Sequence, residues 1–197
     1  MQNLVNEYFA VANSLPLGAK VSRADGSLVP LGDGFQQVLD LMEAVKSGGR
    51  TFRFVGNGGS AAIASHMAVD FSKRCEIRTQ DFNSSAMLTC LGNDFGYAEV
   101  FSKQIEQNAE PGDALIAISS SGKSANILNA VSAAAAKKCT VVSFSGFGPD
   151  NPLRTAGDLN FYVGSPEYGF VELTHMALIS AIIDIFVGWR PGIVLGR

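Results

Sequence analysis

The 197 residues are enough for one α/β domain with a substantial core, since 47% are apolar and 17% are charged. A net charge of −3, with no basic cluster larger than a pair, argues against nucleic acid or an anionic membrane as a partner. Three cysteines without CxxC spacing, and an N-terminus unlike a secretory signal, predict a cytoplasmic protein with reduced thiols.

The N-terminal quarter of the chain carries helical periodicity in two places. Apolar residues recur every three to four positions over residues 3–14 and 35–47. Pro and Gly residues bound the stretch between them, which predicts a long connection with a turn at residues 24–27 (ADGS). We therefore expect residues 1–49 to form an N-terminal helical segment.

From residue 51 onward, apolar runs suited to buried parallel strands alternate with helical segments. The predicted strands lie near residues 51–55, 86–91, 114–118, 140–144 and 159–163, and the predicted helices near residues 60–73, 98–108, 124–137 and 171–187. This alternation predicts a doubly wound sheet as the core, residues 50–190, of a single domain covering residues 1–197. The apolar run at 170–189 contains Glu172, His175 and Asp184, which favours a buried or interface helix over a membrane span.

Two loops rich in glycine and serine, residues 56–60 (GNGGS) and 119–124 (SSSGKS), each follow a predicted strand and precede a predicted helix. Their amides would lie at helix N-termini, where the helix dipole favours negative charge, and the second loop adds four hydroxyls. Together they predict a site for a small, highly charged group such as a phosphate ester. The alternative is an ordinary turn with Ser124 as N-cap, whereas a Walker A motif is disfavoured because position 117 is Ala.

Both histidines have a carboxylate at helical spacing, His66 with Asp70 and His175 with Glu172. Each pair places an imidazole and a carboxylate on one helix face, where they suit a divalent metal or a proton transfer. For each histidine the alternative is a satisfied core residue. Because His66 follows the first loop by only six residues, a functional role is better supported there.

A third motif, residues 91–97 (LGNDFGY), is predicted to form a turn. In this turn Asp94 would either accept hydrogen bonds from sugar hydroxyls or cap a helix. Three motifs in the order of the chain resemble those of the sugar isomerase (SIS) domain family. They are residues 56–61 followed by His66, residues 91–97, and residues 111–113 (PGD) leading into 118–126 (ISSSGKSAN). The chain is most similar to the phosphoheptose isomerase branch of that family, over nearly its whole length.

The resemblance implies a three-layer α/β fold, with a five-stranded parallel sheet between helices, assembled as a homotetramer with active sites at subunit interfaces. It also implies a metal-assisted enediol conversion of sedoheptulose 7-phosphate into D-glycero-D-manno-heptose 7-phosphate for lipopolysaccharide or capsule precursors. By position, the phosphate would be held by Ser119, Ser120, Ser121 and Ser124. The other substrate-binding residues would be Asn57, Gly58, Gly59, Ser60, Asn93 and Asp94.

The catalytic positions depart from the family pattern. The usual glutamate base is Asp70, the usual glutamine is Glu172, the usual histidine eight residues later is Ser180, and an aspartate before the glutamine is Gly169. We expect Asp70 to act as base and metal ligand, with His66 and Glu172 completing a site for zinc or another divalent metal. The alternatives are an isomerase for another phosphosugar, or a non-catalytic phosphosugar-binding or scaffolding tetramer, as in a family member that binds a replication-initiator protein.

Overall fold

The computed structural model describes residues 1–193 and 195. Positions 194, 196 and 197, which the predicted domain includes, lie outside the described residues. The helices are α1 Gln2–Gly18, α2 Leu31–Ser47, α3 Gly59–Cys75, α4 Ser85–Phe95, α5 Ser102–Asn108, α6 Ala125–Ala136 and α7 Tyr168–Phe186. The strands are β1 Lys20–Arg23, β2 Leu28–Val29, β3 Thr51–Gly56, β4 Arg78–Asp81, β5 Ala114–Ser119, β6 Thr140–Gly146 and β7 Leu159–Val163.

These strands form one sheet in the order β2-β1-β7-β6-β5-β3-β4. The five strands from β7 to β4 are parallel, which confirms the predicted sheet, and every residue of β5 is buried because helices cover both faces. The sheet gains two strands from the region predicted as a connection, where β1 and β2 form a hairpin whose first strand, β1, pairs antiparallel with β7. The expected turn closes this hairpin, with the amide of Arg23 donating to the carbonyl oxygen of Ser27 at 3.0 Å.

Each face of the sheet has its own hydrophobic core. Helices α2, α3 and α7 cover one face with Val38, Met42, Met67, Phe71, Leu178 and Ile182. Helices α4, α5 and α6 cover the other with Leu91, Ile105, Ile127, Ala130 and Val131. This three-layer arrangement brings the N-termini of α3 and α6 to the carboxyl ends of β3 and β5, where open parallel sheets bind ligands.

One predicted strand is wrong. Residues 86–91 belong to helix α4, and the strand of this region is β4, which the sequence prediction missed. The partly or fully buried residues Met87, Leu88 and Leu91 recur with helical spacing on the α4–α6 face. β4 has the polar sequence RTQD because it is an edge strand, where polar and charged residues guard against pairing with another chain.

By length and composition alone, helix α7 could cross a membrane, since it has 19 residues and a mean hydropathy of 1.6. One face of the helix nevertheless packs into the core through Val171, Leu178, Ile182 and Ile183. This packing agrees with the buried helix predicted from the sequence.

A buried ion pair connects strand β3 to the loop that precedes β5. Arg53 Nη2 lies 2.8 Å from Asp113 Oδ2, and the two side chains are only 7% and 3% exposed. Burial by itself would raise the pKa of Asp113, but the amides of Glu110 and Thr51 and the guanidinium of Arg53 donate to its carboxylate and hold that pKa below its usual value. The pair therefore joins two sheet strands and the loop before β5.

Candidate active site

The serine loop, residues 119–124, is a compact turn between β5 and α6. The amide of Gly122 donates to the carbonyl oxygen of Ser119 at 3.1 Å, and the amide of Lys123 donates to Ser121 Oγ at 3.3 Å. Gly122 has a φ of +62°, and a side chain there would collide with the carboxamide of Asn151. Position 122 therefore requires glycine both for its left-handed backbone and for the close approach of Asn151.

A pocket of about 110 Å³ opens at this loop. It is lined by Asn57, Ser60, Ile118, Ser119, Ser120, Ser121, Ser124, Tyr168 and Glu172. All four predicted phosphate serines are therefore brought together, as are Asn57, Ser60 and Glu172. The hydroxyl of Ser120, a residue only 4% exposed, has no hydrogen-bond partner within the described residues. Because an unpaired buried hydroxyl costs about 1–3 kcal/mol, the pocket favours a ligand that can bond with it.

The two loops are connected by a reciprocal pair of side-chain amides. Asn57 Nδ2 donates to Asn126 Oδ1 at 2.9 Å, and Asn126 Nδ2 donates to Asn57 Oδ1 at 2.8 Å. Tyr97 Oη also donates to Asn57 Oδ1, at 3.1 Å. The side chain of Asn57, predicted to contact sugar, is therefore engaged in fixing the two loops relative to each other. Asn126 and Tyr97 were missed as site residues, although both lie in the quoted motifs.

Glu172 lies over the N-terminus of α3. Its carboxylate packs so closely on Gly59 that any side chain at position 59 would collide with it. The first amides of a helix lack intrahelical acceptors, so a carboxylate is favourable there. The first glycine loop, predicted as an anion site, therefore already faces an anion supplied by the chain itself.

His66 and Asp70 lie further along α3 and do not line the pocket. His66 Nε2 is 3.8 Å from Asp70 Oδ2, and Asp70 is also 3.9 Å from Arg74 Nη1. His66 is seven residues from Gly59, a rise of about 10 Å along the helix. Among residues 1–193 and 195, no three His, Cys, Asp or Glu side chains cluster closely enough to hold a metal ion. The expected metal triad of His66, Asp70 and Glu172 is therefore not assembled within one protomer.

Asn93 and Asp94 also lie outside the pocket lining. Both are exposed in the last turn of α4, where Asn93 Nδ2 donates to Asp94 Oδ1 at 2.9 Å. The prediction placed them in a turn directly after a strand near residues 86–91, but α4 replaces that strand. Tyr97, two residues beyond the end of α4, instead contacts the site through its hydrogen bond to Asn57.

His175 is a buried core residue, as in the alternative that the sequence offered, but it is only half satisfied: its Nδ1 has no hydrogen-bond partner among the described residues. It is fully buried, and its Nε2 donates to the carbonyl oxygen of Ser145 at 3.1 Å. Burial lowers the pKa of His175 to about 4, against a smaller opposing effect of that hydrogen bond. The imidazole is therefore neutral at physiological pH and is buried between α7 and strand β6.

Comparison with known proteins identifies relatives over most of the chain. The sequence profile of the SIS domain family matches residues 31–146. A phosphoheptose isomerase of Shewanella denitrificans is 33% identical over 162 residues, which cover 78% of this chain and 83% of that protein. A phosphoheptose isomerase of Campylobacter concisus is 37% identical over 140 residues, covering 68% and 74%. The solved structure of the phosphoheptose isomerase from Neisseria gonorrhoeae superposes with a TM-score of 0.79 at 30% identity, covering 94% of this chain and 98% of that one.

Proposed function

The chain belongs to the SIS domain family, with phosphoheptose isomerases as its relatives, and we propose that it interconverts sedoheptulose 7-phosphate and D-glycero-D-manno-heptose 7-phosphate. The observation that carries the proposal is the serine-loop pocket, which contains all four serines, with the hydroxyl of Ser120 unpartnered in the part of the chain that the structure describes. A phosphate ester supplies the acceptors that these hydroxyls and the first amides of α6 lack.

The chemistry requires a base at the end of the sugar opposite the phosphate. The base removes a proton from C1 of the ketose to give an enediol and returns it to C2, while O2 gains a proton and O1 loses one. We propose Asp70 as this base and His66 as the acid that exchanges protons with the oxygens. The six C–C bonds of a heptose, about 1.5 Å each, span about 8 Å when extended. This length is similar to the rise of about 10 Å along α3 from Gly59 to His66, the proposed acid, but shorter than the rise of about 16 Å from Gly59 to Asp70. The carboxylate of Asp70 lies 3.8 Å from the imidazole of His66.

A divalent metal such as zinc would polarise the sugar oxygens, but the residues of one protomer do not fit it as predicted. His66 and Asp70 supply two donors, and Glu172 lies apart from them at the N-terminus of α3. Zinc binding by this pair would therefore need donors from another copy of the chain. We assign no step of the reaction to a metal.

We also propose that the protein is a homotetramer in the cytoplasm. Helix α1 contributes no buried residue and exposes Leu4, Phe9 and Leu17. An apolar groove of about 460 Å³ lies beside it, lined in part by Phe35 and Leu39. Covering these surfaces would stabilise an assembly through apolar burial. Light scattering of the purified protein tests this proposal, and a monomeric mass would contradict it.

The alternative function is a non-catalytic phosphosugar-binding or scaffolding protein. The separation of Glu172 from the His66–Asp70 pair favours it, as does Ser180 at the position of the family histidine. Under the isomerase proposal, changing Asp70 to Glu together with Ser180 to His should raise the rate if the site has decayed from the family pattern. A lower rate would indicate a site adapted to another phosphosugar.

An NMR time course with sedoheptulose 7-phosphate, with and without zinc, distinguishes these functions. The isomerase produces aldose heptose 7-phosphate signals above a control without protein, and Asp70→Asn abolishes them. If no product forms although the ³¹P signal shows bound phosphate, the isomerase proposal is wrong and the binding function, or another substrate, is supported.

A further inference from the structure

The segment that follows β6, residues 147–155, packs against the serine loop at Gly122. The side chain of Asn151 is buried, with the residue only 2% exposed, and its carboxamide lies where a side chain at position 122 would be. The amide of Leu153 donates to the carbonyl oxygen of Gly122 at 3.2 Å. Two residues of this segment therefore hold Gly122 on two sides, although neither of them lines the pocket.

The chemistry of its neighbours fixes which way the Asn151 carboxamide faces. Its Nδ2 donates to the carbonyl oxygens of Gly148 at 2.8 Å and of Gly146, the last residue of β6, at 3.1 Å. Because backbone carbonyl oxygens only accept hydrogen bonds, the nitrogen must face them, and Oδ1 must face Gly122. Among the described residues, this Oδ1 has no hydrogen-bond partner. An unpaired buried acceptor destabilises a fold, so a residue that carries one is a candidate for a functional role.

The contact with Asn151 bears on the residues that would hold the phosphate. Gly122 is the left-handed residue of the turn, with a φ of +62°, and its amide also donates to Ser119 Oγ at 3.2 Å. The backbone at position 122 therefore sets the position of the Ser119 hydroxyl and the direction in which Ser124 and the first turn of α6 follow. A loop that is already fixed before its ligand arrives loses less conformational freedom on binding.

Resting on the proposed function, we propose that Asn151 is a positioning residue of the phosphate site. Its carboxamide joins the end of β6 to Gly122 and holds the serine loop in its binding conformation from outside the pocket. It acts through Gly122 and touches neither the phosphate nor the sugar.

The experiment measures the binding of sedoheptulose 7-phosphate by calorimetric titration, together with the urea midpoint of each variant. Asn151→Ala removes the contact with Gly122 and should weaken binding about tenfold, because the ligand must then order the loop. The matched control is Asn160→Ala, since Asn160 is a second buried carboxamide and its side-chain hydrogen bonds go to Ser143 and Ser145 of β6. Both variants should lower the urea midpoint by about 1 M. Asn160→Ala should nevertheless change the affinity by no more than about twofold.

A double-mutant cycle tests whether Asn151 acts through Gly122. Gly122→Ala places a methyl group against the carboxamide and should weaken binding by about tenfold or more. In the double variant the methyl group meets no carboxamide, so binding should be no weaker than in Gly122→Ala alone, whereas independent effects would multiply to about a hundredfold. Asn151→Ser, which shortens the side chain but keeps a hydroxyl donor, takes the place of Asn151→Ala in the cycle if that variant does not fold.

Equal weakening by Asn151→Ala and Asn160→Ala, or single effects that multiply in the double variant, would overturn the positioning role, because a general loss of packing produces either result. An unchanged affinity in Asn151→Ala would overturn it as well. Ser124→Ala separates this failure from that of the proposed function. If Ser124→Ala weakens binding and Asn151→Ala does not, only the positioning proposal is wrong. If neither variant weakens binding, the phosphate does not bind in the serine loop, and both proposals are wrong.

Discussion

The buried imidazole of His175 makes the stability of the protein depend on pH in a defined window. Burial lowers the pKa of His175 to about 4, below the usual value of 6.5. As pH falls below 6.5, the unfolded chain takes up a proton that the folded protein rejects, so stability is present above 6.5 and is lost as pH falls towards 4. The linkage relation gives a loss of about 2 kcal/mol between pH 7 and pH 5 from this one residue.

The test is urea unfolding of the wild type and of His175→Gln at pH 7, 6 and 5. The variant keeps a donor for the carbonyl oxygen of Ser145 but has no titrating group. It should be less stable at pH 7, and the difference from wild type should shrink by about 2 kcal/mol at pH 5. The lowered pKa of Asp113 places its own loss of stability below about pH 4, outside this window. A difference that stays constant from pH 7 to pH 5 would refute a neutral, buried His175.

Three further predictions concern the serine loop, the buried ion pair and the amide pair. Ser124→Ala should weaken phosphosugar binding about tenfold in a calorimetric titration, through loss of one hydrogen bond to a charged group; unchanged affinity would contradict the phosphate site. Arg53→Met should destabilise the protein by about 3–5 kcal/mol in urea unfolding, because it leaves Asp113 buried without its partner, and a loss below about 1 kcal/mol would show that the pair is solvated. Asn126→Asp should raise KM more than it lowers kcat, because it removes the Nδ2 donor to Asn57 Oδ1 and leaves that oxygen facing a carboxylate, and equal effects on both would contradict a role in positioning the loops.

The parallel sheet and its two loops could be predicted because their signals are local. A buried apolar strand, a glycine or serine turn and a following helix are adjacent in the sequence, as at residues 51–64 and 114–128. The hairpin β1–β2 and the polar edge strand β4 could not be predicted in this way. They exist because they pair with β7 and β3, and such pairing depends on partners distant in the chain.

The predicted site separated into two parts for a similar reason. The four serines and Asn57 share one pocket because they follow neighbouring strands. The position of Glu172 depends on how α7 packs against α3, which a helical spacing does not specify. Glu172 packs on Gly59 rather than beside His66, so the resemblance pointed to a residue of the pocket but not to its surroundings. The carboxamide of Asn126 was missed because its partner, Asn57, lies 69 positions away.

The two parts of the site differ in what they need to function. The proposed phosphate pocket is lined by residues of one chain, since the loop serines at the N-terminus of α6 and Glu172 all belong to it. The proposed base and acid lie on the outer side of α3, where the side chain of His66 is 56% exposed. Proton abstraction beside a carbonyl benefits from exclusion of water, which strengthens the electrostatic interactions at the reacting atoms. Phosphosugar binding should therefore be a property of the single chain, whereas the isomerisation should require a second copy that covers His66 and Asp70.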